Sequence, residues 1–234
     1  MKLDQQSLAY ITNVVNTARL VDIDDVIIEP GKIRAINEDK TVVLLQDENV
    51  PEMPFNSIGL NRINVFLSRL GIAKTQEDFA VTVQVDDNNE FARGLVMSGK
   101  GVKVDYRCAN PRTIQAPKNV NDTLTYRIRI TPEAVYLLEK GRTAMGADTV
   151  SLISNDKGVT FELIDVNSDK FSHTFTDEVE TLSDEADTTF VHKYPVAILL
   201  ALFKDNPEGT FSIGKKGILS IVVNHLNIFV LPQV

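Results

Sequence analysis

The chain reads as an α+β protein made of two duplicated domains, each an antiparallel sheet backed by two helices. Three observations predict this. First, "TARLVDIDDVIIEPGKIRAI" from Thr17 has a counterpart in "TAMGADTVSLISNDKGVTFEL" from Thr143, about 126 positions later. Each opens with Thr-Ala after an amphipathic segment, runs as a short strand, turns at a Gly beside a Lys and returns as an alternating strand. Second, helical and strand periods follow one another in the same order twice: helix, strands, helix, strands. Third, "CANPRTIQAPKNVND" (108–122) has two prolines and little periodicity, so it reads as a linker. The expected boundaries are 1–108 for the first domain, 109–122 for the linker and 123–234 for the second domain, each domain of ordinary size.

The elements follow in chain order. Leu8, Ile11, Val15 and Ala18 step by three and four residues, which predicts the first helix. "GKIRAINEDKTVVL" (31–44) reads as strand, loop, strand. Leu60, Ile63, Leu67 and Leu70 repeat the helical step, placing a second helix around "INVFLSRL" (63–70). "FAVTVQV" (79–85) and "GVKVDYRC" (101–108) alternate with period two, separated by the turn signals "DDNN" and "SGKG". In the second half "LTYRIRI" (124–130) is a strand. "TPEAVYLLEKGRTAM" (131–145) is a helix with Thr131 as N-cap and Pro132 at its first position. Val196, Leu199, Leu200 and Phe203 give the fourth helix, "VAILLALF" (196–203), and "GTFSIG" (209–214) and "ILSIVV" (218–223) are strands.

Composition narrows the function. Hydrophobic residues make up 43% and charged residues 24%, the profile of a soluble globular protein. The longest apolar run, "PVAILLALF" (195–203), is half of the roughly 18 residues that span a bilayer, and "MKLDQQSLAY" lacks the apolar core of a secretion signal. Cys108 is the sole cysteine, so no internal disulfide forms, a reducing compartment is expected, and the thiol reads as buried structure. "GTFSIGKK" (209–216) nearly matches a phosphate-binding loop. Lys216 stands where the magnesium-binding hydroxyl should be, and the segment leads into a strand instead of a helix, so it reads as a hairpin turn. His173, His192 and His225 lie far apart with no ligand-spaced partners. The acid clusters "DDNNE" (86–90) and "SDEAD" (183–187) read as solvated loops. No nucleophile–base pairing emerges, so the chain is expected not to be an enzyme and to need no cofactor or metal.

The net charge of −8 is unevenly spread. From Met53 to Gln76 there is no carboxylate but Arg62, Arg69 and Lys74. From Phe190 to Lys204 there is none but Lys193 and Lys204, and from Gln5 to Leu20 the only charge is Arg19. The segment 176–187 holds six acids and no base. Local fields, more than the sum, decide what a surface attracts. Two readings stand: ordinary solvated charges on two helices, or faces that meet a polyanion loosely, with Gln6, Asn13, Asn16 and Thr17 on the first helix touching phosphate without repelling it.

Taken with their order and spacing, "GKIRAINEDKTVVL" (31–44), "YRIRITPEAVYLLEKGRTAMGADTVSL" (126–152), "NDKGVTFEL" (155–163) and "HLNIFVLPQV" (225–234) resemble the DNA sliding clamps, polymerase processivity factors of the two-domain kind found in the proliferating cell nuclear antigen and T-even-type phage families. The resemblance spans nearly the whole chain. It implies a homotrimeric, toroidal ring with sheets outside and helices lining a hole that encircles duplex DNA without regard to sequence. "GVKVDYRC" of one subunit would pair with "DKFSHTFT" (169–176) of the next. The DNA-facing residues would be Arg62, Arg69, Lys74, Lys140, Arg142, Lys193 and Lys204, although Glu133 and Glu139 offset the bases of the third helix. The partner-peptide pocket would hold Asn37, Ile114, Pro117, Phe229, Leu231 and Pro232, taking short apolar peptides of the DNA polymerase, the clamp loader and other replication proteins. The clamp itself would bind no nucleotide. It would work in the cytoplasm, that of a host cell if the chain is encoded by a bacteriophage, as its brevity and its closer likeness to phage clamps suggest. Other readings are a monomeric DNA-binding processivity factor, for which −8 is an unexpectedly acidic balance, and a duplicated-domain virion or scaffold protein with no DNA role.

Overall fold

The computed structural model describes every residue except Asn89, Asp156, Lys157, 184–188 and Val234, together with the side chain of Asn155. Parts of the expected turn "SNDKG" and of both acid clusters, as well as the last residue of "HLNIFVLPQV", fall outside the described residues. The chain divides into two compact units, Met1–Asn119 and Val120–Val234.

The first unit runs α1 (Gln5–Leu20), β1 (Val26–Glu29), β2 (Lys32–Ile36), β3 (Val42–Gln46), β4 (Ile58–Leu60), α2 (Ile63–Lys74), β5 (Ala80–Val85), β6 (Ala92–Gly99) and β7 (Val102–Arg107). Asp4 caps α1: its Oδ1 accepts the Ser7 N–H at 2.7 Å, and this bond, with a second from the Ser7 hydroxyl, holds the Asp4 carboxyl below its ordinary value. Strands order as β3-β2-β1-β4, all antiparallel, and β5-β6-β7 likewise, with one parallel bridge, Ile58 to Ala92, joining the two runs. The segment before α1 adds to β5: Lys2 bridges Thr82, and the Leu3 N–H donates to the Val81 carbonyl at 2.8 Å. Under α2, Phe66 and Tyr106 meet edge to face at 5.4 Å, both fully buried. Burying a side chain of this size contributes about 1.5–3 kcal/mol.

The second unit runs β8 (Leu124–Arg129), α3 (Pro132–Met145), β9 (Thr149–Asn155), β10 (Gly158–Ile164), β11 (Lys170–Phe175), β12 (Val179–Thr181), β13 (Val191–Pro195), α4 (Val196–Asp205), β14 (Thr210–Gly214), β15 (Leu219–Val223) and β16 (Leu226–Val230). Thr131 caps α3, its hydroxyl accepting the Ala134 N–H at 3.1 Å, with Pro132 first in the helix, as the sequence predicts. Strands order as β11-β10-β9-β13 and β12-β8-β14-β15-β16. Phe161, Phe175, Phe203 and Phe211 form its aromatic core. Gly141 lets α3 approach β10 and β11, since a Cβ there would lie 2.5 Å from the Phe171 ring and 2.8 Å from Leu163.

The two units repeat one plan. Four strands between the helices take the same sheet order, β3-β2-β1-β4 and β11-β10-β9-β13, while the second unit adds β12, which pairs with β8; the segment before the first helix pairs in each with the strand that follows the second. Even the helix starts match: the Ile63 N–H donates to the Asp24 carbonyl and the Val196 N–H to the Asp148 carbonyl.

Several sequence expectations are corrected. Leu60 belongs to β4, and α2 begins at Ile63; between them Arg62 adopts left-handed backbone (φ 54) to turn the chain sharply. Lys193 lies on β13, not on a helix, so the expected group of five bases on two helices loses one member. Thr17 is 1% exposed and cannot present its hydroxyl outward. The last helix runs on to Asp205, so it is not free of carboxylate.

Candidate nucleic-acid interface

In the first unit α1 and α2 carry no carboxylate. Between them and β5 lies a groove of about 900 Å³, whose polar lining is Lys2, Asp4, Gln5, Thr12, Asn13, Asn16 and Lys74, so its one carboxylate is the N-cap Asp4. Lys74 ends α2, exposed, and among the described residues it forms no ion pair. Arg62 and Arg69 behave differently. The Arg69 guanidinium donates to the Asp105 carbonyl at 2.8 Å and that of Arg62 to the Arg107 carbonyl at 3.4 Å, so both reach back to β7. The Arg62 backbone N–H also serves the Asp25 carboxyl, which burial raises above its ordinary value and that bond partly lowers.

In the second unit a cleft of about 470 Å³ lies between α3 and α4, rimmed by Glu139, Arg142, Asp148 and Lys204 and floored by Ala197, Leu200 and Ala201. Lys204 does not stand alone there: its Nζ lies 2.6 Å from Glu139 Oε1. That bond is the main reason the Glu139 carboxyl sits below its ordinary value, with Lys140 and Arg142 adding to it. Lys140 Nζ lies 5.5 Å from the centre of the Tyr136 ring, within cation–π range, and Tyr136 is 57% exposed. Arg142 is half-buried; Lys193 is exposed on β13, where it bridges Gln233.

The expected pocket residues are placed as follows. Asn37 is buried and spent on its own hairpin: Oδ1 accepts the Thr41 and Val42 N–H groups at 2.9 and 2.8 Å, and Nδ2 donates to the Thr41 hydroxyl. Ile114 packs over Gly59, where a Cβ would lie 2.9 Å from Ile114 Cδ1. Ile114 and Pro117 are half-buried in the first unit; Phe229, Leu231 and Pro232 are half-buried at the end of the second. Part of the expected linker is fixed, since Ala109 bridges Gly59 and Pro111–Thr113 forms a 3-10 turn.

The segment "GTFSIGKK" is β14 followed by the first residues of the β14–β15 turn, which continues through Gly217 at φ 80. The Asp122 carboxylate accepts the Lys216 and Ile218 N–H groups at 3.0 and 3.1 Å, so a carboxylate of the chain occupies donors that a phosphate would need. His173 packs against Phe175 and His192 against Phe190; His225 lies in the β15–β16 turn with left-handed backbone. Cys108 is buried and burial pushes its thiol up to about 12. Among the described residues no helix is long and apolar enough to cross a membrane.

No family model and no curated protein matches the chain. Solved structures do match over its full length. PCNA of A. fulgidus bound to the C-terminal region of FEN-1 is 16% identical, with 100% of this chain and 99% of that one covered and a TM-score of 0.61. PCNA of Thermococcus kodakaraensis is 12% identical, with 99% of each chain covered and a TM-score of 0.60. Proliferating Cellular Nuclear Antigen of Entamoeba histolytica is 11% identical, with 100% and 98% covered and a TM-score of 0.62. The chain therefore has the sliding-clamp fold.

Proposed function

We propose that the protein is a DNA sliding clamp: three chains close into a ring around duplex DNA and tether a replicative polymerase for processive synthesis. The observation that carries this reading is charge segregation on a full-length clamp fold. In a chain with 32 carboxylates, α1 and α2 have none and present amide and hydroxyl groups with Lys74. Such a surface suits weak, sequence-blind contact with phosphates. In this reading Lys74, Lys140 and Arg142, which form no ion pair among the described residues, act directly. Arg62, Arg69 and Lys204 must first leave the groups they now serve, and Lys193 would act from a strand.

In this reading the segment 109–122 is the linker between the two clamp domains. Ile114 and Pro117, and in the second unit Phe229, Leu231 and Pro232, take apolar peptides of the polymerase and of a clamp loader that spends the ATP. Tethering raises the polymerase's effective concentration at the primer end without strong binding by either contact. The protein performs no catalysis. Light scattering after gel filtration tests the ring: three chains of 26.0 kDa give about 78 kDa, persisting on dilution. A mass of 26 kDa at every concentration overturns the ring and leaves a monomeric DNA-binding factor or a scaffold protein as the reading.

A further inference from the structure

The repeat supplies its own control. The eighth residue after the helix N-cap is Thr12 in the first unit, counted from Asp4, and Glu139 in the second, counted from Thr131. The second helix of each unit carries a base in its last turn, Lys74 at the end of α2 and Lys204 one residue before the end of α4. Thr12 and Lys74 line one groove, Glu139 and Lys204 the other. The two sites share this pairing of a last-turn lysine with one residue of the first helix, and each has a further carboxylate on its lining, Asp4 in the first and Asp148 in the second; they differ in the residue of the first helix. In the first that residue is Thr12, whose hydroxyl donates to the Leu8 carbonyl; in the second it is a carboxylate that holds the lysine at 2.6 Å.

That carboxylate is badly placed for a surface that only has to attract phosphate. It takes Lys204 directly and lies in the field of Lys140 and Arg142 as well. In the α3–α4 cleft, rimmed by Arg142, Asp148 and Lys204, the Glu139 carboxylate takes a donor that suits a phosphate oxygen equally. The pair is half-exposed at 49% on each side chain, so water and salt reach it and an incoming anion can exchange with it.

We infer that the α3–α4 cleft is a phosphodiester site of the second unit and that Glu139 is its resident competitor, weakening the grip of this unit on DNA relative to the first. This rests on the clamp reading and adds to it a division of labour between the repeats. A duplex phosphate must displace Glu139 from Lys204 before it gains that contact, so the exchange releases less free energy than contact with an unpaired lysine. The consequence is a low salt dependence as well as a low affinity, because each phosphate newly neutralised adds about −0.9 to the slope of log K against log salt.

The test measures binding of a short labelled linear duplex by anisotropy over a range of salt, with the full chain and four variants whose folding is verified by thermal melting. Glu139→Gln, and Glu139→Thr, which copies the first repeat, are expected to tighten binding by roughly threefold or more at low salt and to steepen the slope by about 0.9 per phosphate gained. Thr12→Glu, which copies the second repeat into the first, is expected to weaken binding and flatten the slope. Lys74→Ala tests the parent reading through a base that forms no ion pair among the described residues, and is expected to weaken binding. If Lys74→Ala weakens binding while both Glu139 variants leave affinity and slope unchanged or lower, the competitor role is overturned and the clamp reading survives. If the unaltered chain fails to bind duplex even at low salt, or Lys74→Ala has no effect, the helices do not face DNA and both fall.

Discussion

Asn37 shows how a residue can be placed by family likeness and then explained by its own neighbours. Its side chain makes three hydrogen bonds within the β2–β3 turn, two of them to backbone N–H groups. Asn37→Ala strands the buried Val42 N–H, a loss of about 1–3 kcal/mol, and is expected to lower the melting temperature while leaving duplex binding unchanged. Unchanged stability, measured by denaturant or thermal unfolding, would return Asn37 to the partner surface. The hairpin role is a local matter of an Asn set before a polar turn, and sequence carries that signal once it is looked for. Lys204 is the opposite case. Its partner Glu139 stands 65 positions earlier, and no local pattern announces a contact made by packing two helices together. Arg62 and Arg69 are similar: their spacing suggested one open face, but the partners that hold them are backbone carbonyls of a strand far along the chain.

Among the elements, the four helices and the long alternating strands were legible because burial stamps a period of three to four or of two on the sequence. The elements that escaped are short, or lack a clean period, as β6 does where its buried residues do not alternate around Gly94. β4 has three residues, and its Leu60 stands three before Ile63, so it mimics a helical step. β13 shares a carboxylate-free window with α4, which drew Lys193 into the wrong element. At the scale of one strand a prediction follows for the proposed ring. The Cys108 N–H donates to the Arg93 carbonyl, and antiparallel alternation then turns the N–H and C=O of Lys103, Asp105 and Arg107 away from β6. Asp105→Pro therefore leaves the β6–β7 ladder intact and removes a donor that an added strand would use. It is expected to fold normally and to run at 26 kDa in place of about 78 kDa. A folded variant that keeps the larger mass would move the subunit joint elsewhere. The Arg62 and Arg69 guanidiniums rest on two of these outward carbonyls, so strand addition has to release them.

For the whole molecule, the duplication was legible from two sequence stretches about 126 positions apart, and the structure repeats it in its helices and main strand order, with β12 added in the second unit. What sequence could not reveal is that the copies have diverged in chemistry at equivalent positions. A clamp held by topology should also behave unlike one held by charge. Threaded onto linear duplex whose ends are then blocked, the protein is expected to stay bound at salt that screens its phosphate contacts, and to leave when an end is reopened. Loss at the same salt from blocked and open DNA, followed by pull-down, would mean that contact alone retains it. The buried thiol has a use in such work. Cys108 is the chain's sole cysteine, 8% exposed and protonated at neutral pH, so maleimide dyes have almost nothing native to react with. A cysteine placed at Asp87, whose side chain is 98% exposed, would carry one fluorophore per chain. The bleaching steps of a single diffusing particle would then count its subunits while it moves.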